Sequence, residues 1–506
     1  MRVGFATQTL TVPPGTPMGG YAFREGTSTG TLDPLSVTAI TWFDGIHRFA
    51  LALVDAICVN ADLTRAVRDV VSEVDVLWLA ASHTHAGPET GCVPGGTVTP
   101  PDWLAVLTAT AAGTVAAARR AETEATGRVH SGPLHGVGAV RSHPTGDSSV
   151  PLDVVEVVAG DRRAGVLVVL PVHPTVLPSR NLLVSADLTG AVRRALADRL
   201  GSGTWIAVAT GAAGDISTRR TRQAQDAAEL DRLGAIVADR CVELLDKTGD
   251  SAGGDLHGGT RDGGTRDGST RDGSMRGGST RGGSTRGGGS AAAGESGWRS
   301  GSDLGWRSRE IDLAPKPPVD ANALIAAAEN DIRSATDPVA VRIAEGNLDG
   351  ARMAAMMRSP APGGRVIRDN AVSERPRGDV IPDNAQEGAG DNAPEGAGAS
   401  AQEGAGDDAP AGEIEAEVTA ARIGDLLLAG LPGEPFLGAA EELRNACSRP
   451  VVVLGYTNAY PGYLPPASAY GSATYEVLAS AAAPGSAEQI IRTAANLLAA
   501  LTGGES

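Results

Sequence analysis

The segment LAASHTHAGPETG, residues 79–91, places His83 and His85 two positions apart directly after an apolar run. The chain has only eight histidines, so a close pair draws attention to this segment. Imidazole nitrogens bind transition metals and transfer protons near neutral pH. If both residues continue an extended strand, their side chains point to the same face and can reach one site. The pair is either part of a metal site or two polar residues on a turn.

Side chains that could bind a metal or take part in catalysis follow five short apolar runs. Each run has the length of a buried strand, and ligands of α/β sheets bind beyond the carboxyl ends of the strands. Taken singly, each residue has an ordinary interpretation as a turn or helix-cap residue. Their combination predicts one active site assembled from distant segments. The residues are His83 after DVLWLAAS, His173 after AGVLVVLPV, Asp215 and Ser217 after TWIAVAT, Glu434 after IGDLLLAGLP, and Tyr463 after RPVVVLGYT.

Two imidazoles and a carboxylate are a common ligand set for catalytic zinc, with room left for a water molecule. A metal rarely needs both histidines of such a close pair. One of His83 and His85 is therefore expected to be a ligand and the other a proton-transfer group. The pattern on its own does not assign which is which.

The elements that must position these residues alternate between short apolar runs and helical patterns such as NADLTRAVRDVVSEV and DLTGAVRRALADRL. The alternation predicts an α/β fold with mixed β-sheets packed between helices in a single large catalytic domain. WRSREIDLAP predicts a further strand. The segment from Asp320 to Arg358 predicts a pair of helices broken near Asp337 and Pro338.

Two low-complexity segments interrupt this pattern. Both are rich in Gly with Ser, Thr or Ala and contain almost no apolar side chains, so they cannot bury enough surface to offset the cost of ordering. We expect disordered insertions whose length adds little to the entropy of loop closure. The predicted division is 1–248, 304–359 and 413–506 for the catalytic domain, with insertions at 249–303 and 360–412.

Composition excludes several function classes. The net charge of −17 argues against a nucleic-acid or anionic-membrane surface, which needs clustered basic residues. The four cysteines are scattered without CxxC spacing, so neither a zinc finger nor a disulfide framework is indicated. No segment resembles a signal peptide, and no run approaches the roughly 20 apolar residues of a membrane span. We expect a cytoplasmic protein without stable membrane insertion. Its oligomeric state is not indicated.

Six motifs in order resemble the neutral/alkaline (non-lysosomal) ceramidase family. The opening GGYAFREGTSTGTLDPL is similar to the Gly-rich N-terminal segment of the family, and HTHAGP resembles its HTHSGPG motif. VHPTVLPSRNLLVSADLTG resembles its HPT segment, GAAGDIS its GDVSPN motif and LPGEPF its PGE element. NAYPGYLPPASAYGSATYE resembles its N-x-Y-x-x-Y motif followed by Tyr-Glu. The resemblance extends from the N-terminus to about Leu497, without the immunoglobulin-like C-terminal domain of full-length ceramidases.

The resemblance implies a zinc-dependent amidase that hydrolyses the N-acyl bond of ceramide to sphingosine and a fatty acid. It implies one Zn²⁺ per chain. An additional Mg²⁺ or Ca²⁺ stays open, and the sequence locates no site for one. The zinc ligands that the resemblance implies are His83, His173, Glu434 and Tyr463.

The resemblance also implies roles for residues that are not ligands. His85 would be the general acid/base, and Arg141 with Tyr475 would bind the amide oxygen. Such donors stabilise the developing oxyanion. Ser217 is a candidate nucleophile, although no histidine follows it at a diagnostic spacing. A role for Asp215 and Ser217 in supporting the metal ligands is the alternative.

The chain departs from the family pattern in ways that bear on the substrate. Thr218-Arg219 follows Ser217 where the family has Pro-Asn, and aromatic residues make up only 3% of the chain. No amphipathic helix for membrane docking is visible. Two alternatives to ceramide hydrolysis therefore stand: the same metal site acting on a non-lipid amide or ester, and a non-catalytic relative that only binds a metal. If the protein is an enzyme, whether on ceramide or on a non-lipid substrate, its expected partner is a small-molecule or lipid amide.

Overall fold

The computed structural model describes residues 1–92, 98–142, 148–247, 297–298, 303–358 and 414–503. The insertions predicted at 249–303 and 360–412 lie almost wholly outside the described residues. The strands formed by the described residues are β1 (Arg2–Leu10), β2 (Gly30–Thr31), β3 (Leu35–Phe43), β4 (Arg48–Val54), β5 (Val76–Ala81), β6 (Thr123–Glu124), β7 (Thr126–His135), β8 (Ala139–Val140), β9 (Ser149–Ala159), β10 (Arg162–Leu170), β11 (Leu183–Val184), β12 (Trp205–Thr210), β13 (Ile216–Ser217), β14 (Gly297–Trp298), β15 (Leu304–Leu313), β16 (Ile414–Ile423), β17 (Leu426–Gly430), β18 (Glu434–Pro435), β19 (Val451–Leu454) and β20 (Tyr463–Leu464).

Helices separate the strands at the places that the apolar periodicity predicts. The helical pair breaks at Pro338, because proline fits the first turn of a helix but not its interior. The α-helices of the described residues are α1 (Ala61–Val70), α2 (Pro101–Arg120), α3 (Asp187–Leu200), α4 (Ala227–Asp246), α5 (Ala321–Ser334), α6 (Pro338–Arg358), α7 (Leu437–Ala446), α8 (Tyr475–Leu478) and α9 (Ser486–Leu501).

Among the described residues, three sheets have four or five strands and form the core of the fold. Their strand orders are β5-β4-β3-β1-β6, β12-β10-β9-β7-β14 and β15-β16-β17-β19. One face of each sheet contributes to a shared apolar core that includes Trp42 and Trp78 of the first sheet, Leu167 of the second and Leu428 of the third. The other faces pack against helices: α1 and α2, α3 and α4, and α7 and α9 respectively. The predicted α/β fold with mixed sheets packed between helices is confirmed.

Each of these sheets is mixed and ends in one parallel pair. The pairs are β4 with β5, β10 with β12, and β17 with β19. Backbone contacts hold their carboxyl ends together: the Ala81 amide donates to the Tyr456 carbonyl at 3.1 Å, and the Gly455 amide donates to the Thr210 carbonyl at 3.0 Å. The Thr210 hydroxyl donates to the Ser82 carbonyl at 2.8 Å. The five apolar runs therefore converge at one place.

The boundary predicted at residue 303 differs from the structure. Strand β14 lies within the segment assigned to the first insertion and pairs with β7. The indole of Trp298 is buried in the core shared by the sheets. A single aromatic residue in a Gly/Ser-rich context thus contributes to the core. Among the described residues, no helix is long and apolar enough to cross a membrane.

Candidate metal centre and catalytic site

His83 reaches the site from a strained turn. Strand β5 ends at Ala81, and His83 has a left-handed φ of 61°, which is uncommon for a residue with a side chain. Its ring stacks on Tyr456 with 4.3 Å between ring centres. His83 and His85 therefore do not continue β5 as an extended strand. The turn nevertheless brings their Nε2 atoms to 3.3 Å.

His173 and Glu434 meet His83 at the same point. The Nε2 atoms of His173 and His83 lie 2.9 Å and 3.5 Å from Oε2 of Glu434. All three side chains are almost completely buried. One nitrogen from each of His83, His85 and His173 lies within 4.8 Å of the others, a separation at which they could hold a metal ion.

The hydrogen bonds of the two imidazoles fix their protonation. Nδ1 of His83 lies 2.6 Å from the Ile57 carbonyl, and Nδ1 of His173 lies 2.6 Å from the Ala213 carbonyl. A carbonyl oxygen only accepts, so each Nδ1 carries a proton, and in the neutral form of each ring Nε2 presents a lone pair. Burial, followed by the charge of Arg141, lowers the pKa of His173 to about 4. His173 is therefore neutral at pH 7.

This donor set fits a cation. Burial alone raises the pKa of Glu434, whereas positive charge beside it, on His83 and His173 or on a cation bound between them, lowers that pKa well below its ordinary value and keeps the Glu434 carboxylate ionised. Its Oε2 has no hydrogen-bond partner among the described residues. Two lone pairs and a carboxylate oxygen thus face one another inside the protein, which is unfavourable unless a positive charge lies between them. Metal-binding histidines commonly donate their other N–H to a backbone carbonyl, as both do here.

Two short strands hold Glu434 against the tyrosine segment. Strand β18 pairs in parallel with β20, and Glu434 lies opposite Tyr463 in the register. The Tyr460 hydroxyl donates to Oε1 of Glu434 at 2.5 Å, which leaves Oε2 directed at the histidines. The Tyr463 hydroxyl lies 3.4 Å from Nε2 of His173. Tyr463 is thus beside the donor set, as a ligand would be.

His85 differs from the other two histidines. Its Nδ1 is buried and has no hydrogen-bond partner among the described residues, and its Nε2 faces Nε2 of His83. Burial and the nearby His83 and His173 hold its pKa well below the ordinary value.

Gly20, with a φ of +94°, approaches so closely that a Cβ atom on it would lie 2.7 Å from the Cα of His85. This close approach explains a glycine in the GGYAFREG segment.

Arg141 is positioned by a short antiparallel pair of two-residue strands. Strand β8 pairs with β13, and Arg141 follows directly. Its guanidinium donates to Oε1 of Glu476 at 2.6 Å and to the Gly214 carbonyl at 2.9 Å. The same guanidinium lies 5.3 Å from the ring centre of Tyr475. Although burial alone lowers it, Tyr463 and Glu476 raise the pKa of Arg141 well above its ordinary value, so it remains charged.

A cavity of about 320 Å³ joins these groups, and His85, Arg141, Tyr463 and Tyr475 line it. A second cavity of about 230 Å³ contains His83 and Glu434 and shares His85, Tyr463 and Tyr475 with the first. Helix α6 forms one wall of the first cavity through residues that include Asp349 and Met353. The donor set and the arginine–tyrosine pair therefore border two adjacent cavities with shared walls.

Comparison with known proteins identifies the fold. The sequence matches no family model and no curated protein. Solved structures with a similar fold include two ceramidases. A ceramidase complexed with C2 has a TM-score of 0.66 and 16% identity, covering 99% of this chain and 75% of its own. The neutral ceramidase from Pseudomonas aeruginosa has a TM-score of 0.63 and 15% identity, covering 99% and 74%. The chain has the fold of the neutral ceramidases.

Within this neutral ceramidase fold, Ser217 is a buried capping residue. Its hydroxyl accepts the Arg219 amide at 3.2 Å and begins the 3₁₀ turn of Thr218–Arg220. Its backbone forms a parallel bridge with His173. In the part of the chain that the structure describes, no histidine hydrogen-bonds to the hydroxyl, whereas a serine nucleophile is activated by an adjacent base. Ser217 does line the larger cavity.

Several residues of this chain that shape the site were not singled out from the sequence. Tyr456 stacks on His83, Tyr460 binds Glu434, and Glu476 pairs with Arg141. Asn458 accepts the Leu79 amide at 2.9 Å and so joins the tyrosine segment to β5. The available signal was the clustering of five of the six tyrosines between residues 456 and 475. That clustering marks the segment without saying which hydroxyl meets the carboxylate.

Proposed function

We propose that this protein is a metal-dependent hydrolase that cleaves the amide bond of an N-acylated amine. One observation carries the proposal: Nε2 of His173 and Nε2 of His83 lie 2.9 Å and 3.5 Å from a buried carboxylate oxygen of Glu434 that has no hydrogen-bond partner among the described residues. An arginine and a tyrosine line the cavity beside them, as an amide carbonyl would require. The similarity to two ceramidases supports the same class of reaction.

The proposed ligands are His83, His173 and Glu434, with Tyr463 as the fourth. Three N/O ligands plus a further group suit Zn²⁺, and the Nδ1 hydrogen bonds of both histidines favour ligation through Nε2. When bound, Zn²⁺ would supply Lewis acidity toward water and toward the amide carbonyl. Side chains of the protein would then have to transfer protons and to stabilise the charge that develops on the carbonyl oxygen.

His85 is the proposed proton-transfer group. Its Nε2 lies 3.3 Å from Nε2 of His83, and its Nδ1 is not committed to a carbonyl as in the two proposed ligands. Hydrolysis breaks the C–N bond, adds hydroxyl to the acyl carbon and adds a proton to the departing amine. A neutral imidazole can accept the proton of water and deliver it to that nitrogen.

Arg141 and Tyr475 are the proposed donors to the amide oxygen. The ion pair with Glu476 and the bond to the Gly214 carbonyl hold the guanidinium beside the Tyr475 ring. The phenol of Tyr475 keeps its proton because burial raises its pKa. A fixed cation and a fixed O–H donor can stabilise the negative charge that develops on the carbonyl oxygen, each typically worth a few kcal/mol.

Two substrate classes follow from this site. Ceramide is the first, because both similar structures are ceramidases. A smaller, non-lipid amide is the second, and the arginine-rich lining of the larger cavity favours it. The chemistry proposed for the site is the same in both cases.

The test combines metal content with hydrolysis. Purified protein is measured for zinc and assayed on C2- and C6-ceramide beside short N-acyl amides, with Glu434→Ala as the site variant. His135→Ala is the matched control, because His135 is an exposed histidine on β7. We expect about one zinc per chain and amide hydrolysis in wild type and control, with both lost in Glu434→Ala. Zinc without hydrolysis of any amide would instead indicate a non-catalytic metal-binding protein.

A further inference from the structure

The larger cavity of the site has an arginine-rich lining. Besides the groups assigned to the reaction, three arginines border it: Arg180, Arg219 and Arg222. Arg219 lies two residues after Ser217 at the end of the GDIS segment. Polar side chains of Thr175, Ser179 and Gln225 border the same space.

Two of the arginines in this lining, Arg219 and Arg222, form no ion pair with a carboxylate of the described residues. Arg141 is neutralised by Glu476, and Asp349 is the acidic residue that borders the cavity, 3.7 Å from Arg352. Among the residues that the structure describes, no carboxylate lies within 4.0 Å of the guanidinium of Arg219 or Arg222. Both guanidinium groups therefore border the cavity without a close ion pair, with Asp349 acting on Arg219, and Asp187 on Arg222, only from a longer distance.

Backbone carbonyls hold both guanidinium groups in place. Arg219 donates to the Arg342 carbonyl at 3.3 Å, and Arg222 donates to the Thr175 carbonyl at 2.6 Å. Each guanidinium has five N–H donors, so each keeps donors free for a ligand. Both residues are partly buried. Burial and the positive charges of Arg141 and Arg222 lower the pKa of Arg219. The cavity thus presents fixed, partly desolvated cations.

Such a lining discriminates between ligand classes. A planar guanidinium matches the geometry of a carboxylate or phosphate and bonds it with two parallel N–H donors. A long alkyl chain in the same place would remove water from the arginines without replacing its hydrogen bonds. Phe23, Pro178 and Met353 provide a limited apolar surface for a short acyl group.

We propose that this cavity binds an anionic group of the substrate, so that the protein hydrolyses N-acyl amides carrying a carboxylate or phosphate. The inference rests on the proposed function, since it names the substrate class of the same site. Arg219 and Arg222 hold the acid group while the amide carbonyl lies beside Arg141 and Tyr475. Water adds across the C–N bond, giving a free carboxylic acid and an acidic amine.

Matched substrates test the inference directly. N-hexanoylglycine and N-hexanoylglycinamide differ in the carboxylate alone, and N-hexanoyl-O-phosphoethanolamine and N-hexanoylethanolamine differ in the phosphate alone. We expect kcat/KM at least tenfold higher for the anionic member of one or both pairs, mainly through KM. Whichever pair shows the preference identifies the acid group. Equal or higher kcat/KM for both neutral members, or for C6-ceramide, would overturn the inference.

Variants assign the preference to the arginines. Arg219→Gln and Arg222→Gln should each reduce the ratio of anionic to neutral kcat/KM toward one, and Arg219→Lys should restore part of it. Arg309→Gln is the control, because Arg309 is exposed on β15 outside the cavity. A ratio that stays at the wild-type value in both glutamine variants would overturn the assignment.

A binding measurement separates this inference from the proposed function. Calorimetry with N-hexanoylglycine and Glu434→Gln protein reports affinity without turnover. We expect binding that weakens at least tenfold when Arg219→Gln is added. Binding of this kind without hydrolysis of any amide by wild type would overturn the proposed function and support the anion site. Hydrolysis of amides without any preference for the acid group would overturn the anion site alone.

Discussion

Nε2 of His173 lies 2.9 Å from Oε2 of Glu434, although neither atom carries a proton when His173 is neutral. The proton of the imidazole is on Nδ1, where it is bonded to the Ala213 carbonyl. His83 faces the same oxygen in the same manner at 3.5 Å. Two lone pairs directed at a carboxylate indicate a site arranged for a cation. The predictions below follow from this arrangement and from the side chains that hold it.

Tyr460→Phe should weaken metal binding. The Tyr460 hydroxyl donates to Oε1 of Glu434 and fixes which oxygen faces the histidines. Losing a hydrogen bond of this kind to a ligand typically costs about 10–100-fold in metal affinity. Competition with a chelator measures the affinity. Tyr470→Phe is the control, because the Tyr470 hydroxyl donates to the Ala482 carbonyl and the residue lines neither cavity of the site. Equal zinc affinity in Tyr460→Phe and wild type would contradict this role.

Ser217→Ala should retain amide hydrolysis within about tenfold of wild type. The hydroxyl caps a 3₁₀ turn and contacts no histidine among the described residues, so its loss affects local positioning only. Removal of a serine nucleophile from a catalytic triad costs on the order of 10⁶-fold in kcat. Steady-state kinetics on an N-acyl amide distinguish the two cases. A loss above about 10⁴-fold with zinc still bound would make Ser217 the nucleophile.

Glu476→Ala should destabilise the protein by about 3–5 kcal/mol, because it leaves the buried Arg141 charge without its partner. Glu476→Gln should cost less, since an amide oxygen can still accept from the guanidinium. Urea denaturation measures both. Glu243→Ala removes the exposed ion pair with Arg240 and should cost no more than about 1 kcal/mol. Similar free energies of unfolding for Glu476→Ala and Glu243→Ala would contradict the account.

Much of the site could be predicted from the order of apolar runs and polar residues. A polar residue after a buried strand must leave the core at the carboxyl end of that strand, and parallel strands bring these ends together. His83, His173 and Glu434 could therefore be grouped across some 350 residues of sequence. The same logic located the strands β5, β10, β12, β17 and β19.

What could not be predicted depends on backbone conformation and on long-range pairing. The left-handed φ of His83 is stabilised by contacts with distant residues and leaves no local pattern. The choice of Tyr460 as the partner of Glu434 depends on the register of two-residue strands. The Arg141–Glu476 pair joins residues 335 positions apart. Trp298 lies in a segment whose composition indicates disorder, yet its indole is buried.

Asp215→Asn should change how stability depends on pH. The Asp215 carboxylate accepts the Leu437 amide at the start of α7. Burial, reinforced by Glu476 and opposed by that amide and Arg141, raises its pKa from 3.8 to about 6. The folded state therefore keeps the proton to higher pH than the unfolded state. This contribution to stability is complete below about pH 4 and is lost as the pH rises through about 6.

The shift corresponds to roughly 3 kcal/mol at about 1.4 kcal/mol per pKa unit. Denaturation at a series of pH values from about 3.5 to 7.5 measures it. Relative to Asp215→Asn, the wild type should lose stability across this interval. Asp231→Asn, an exposed aspartate on α4, is the control and should follow the wild type. Parallel curves for wild type and Asp215→Asn would show that Asp215 titrates normally.

The most direct measurement is the titration of metal-free protein with Zn²⁺ while amine release from a short N-acyl amide is followed. N-Hexanoylglycine serves as the substrate, with C6-ceramide measured in parallel. We expect no hydrolysis without metal and activity that rises in proportion to zinc until one equivalent per chain, with Glu434→Ala inactive throughout. Full hydrolysis by the metal-free protein, or hydrolysis of neither substrate at any zinc ratio, would contradict this expectation.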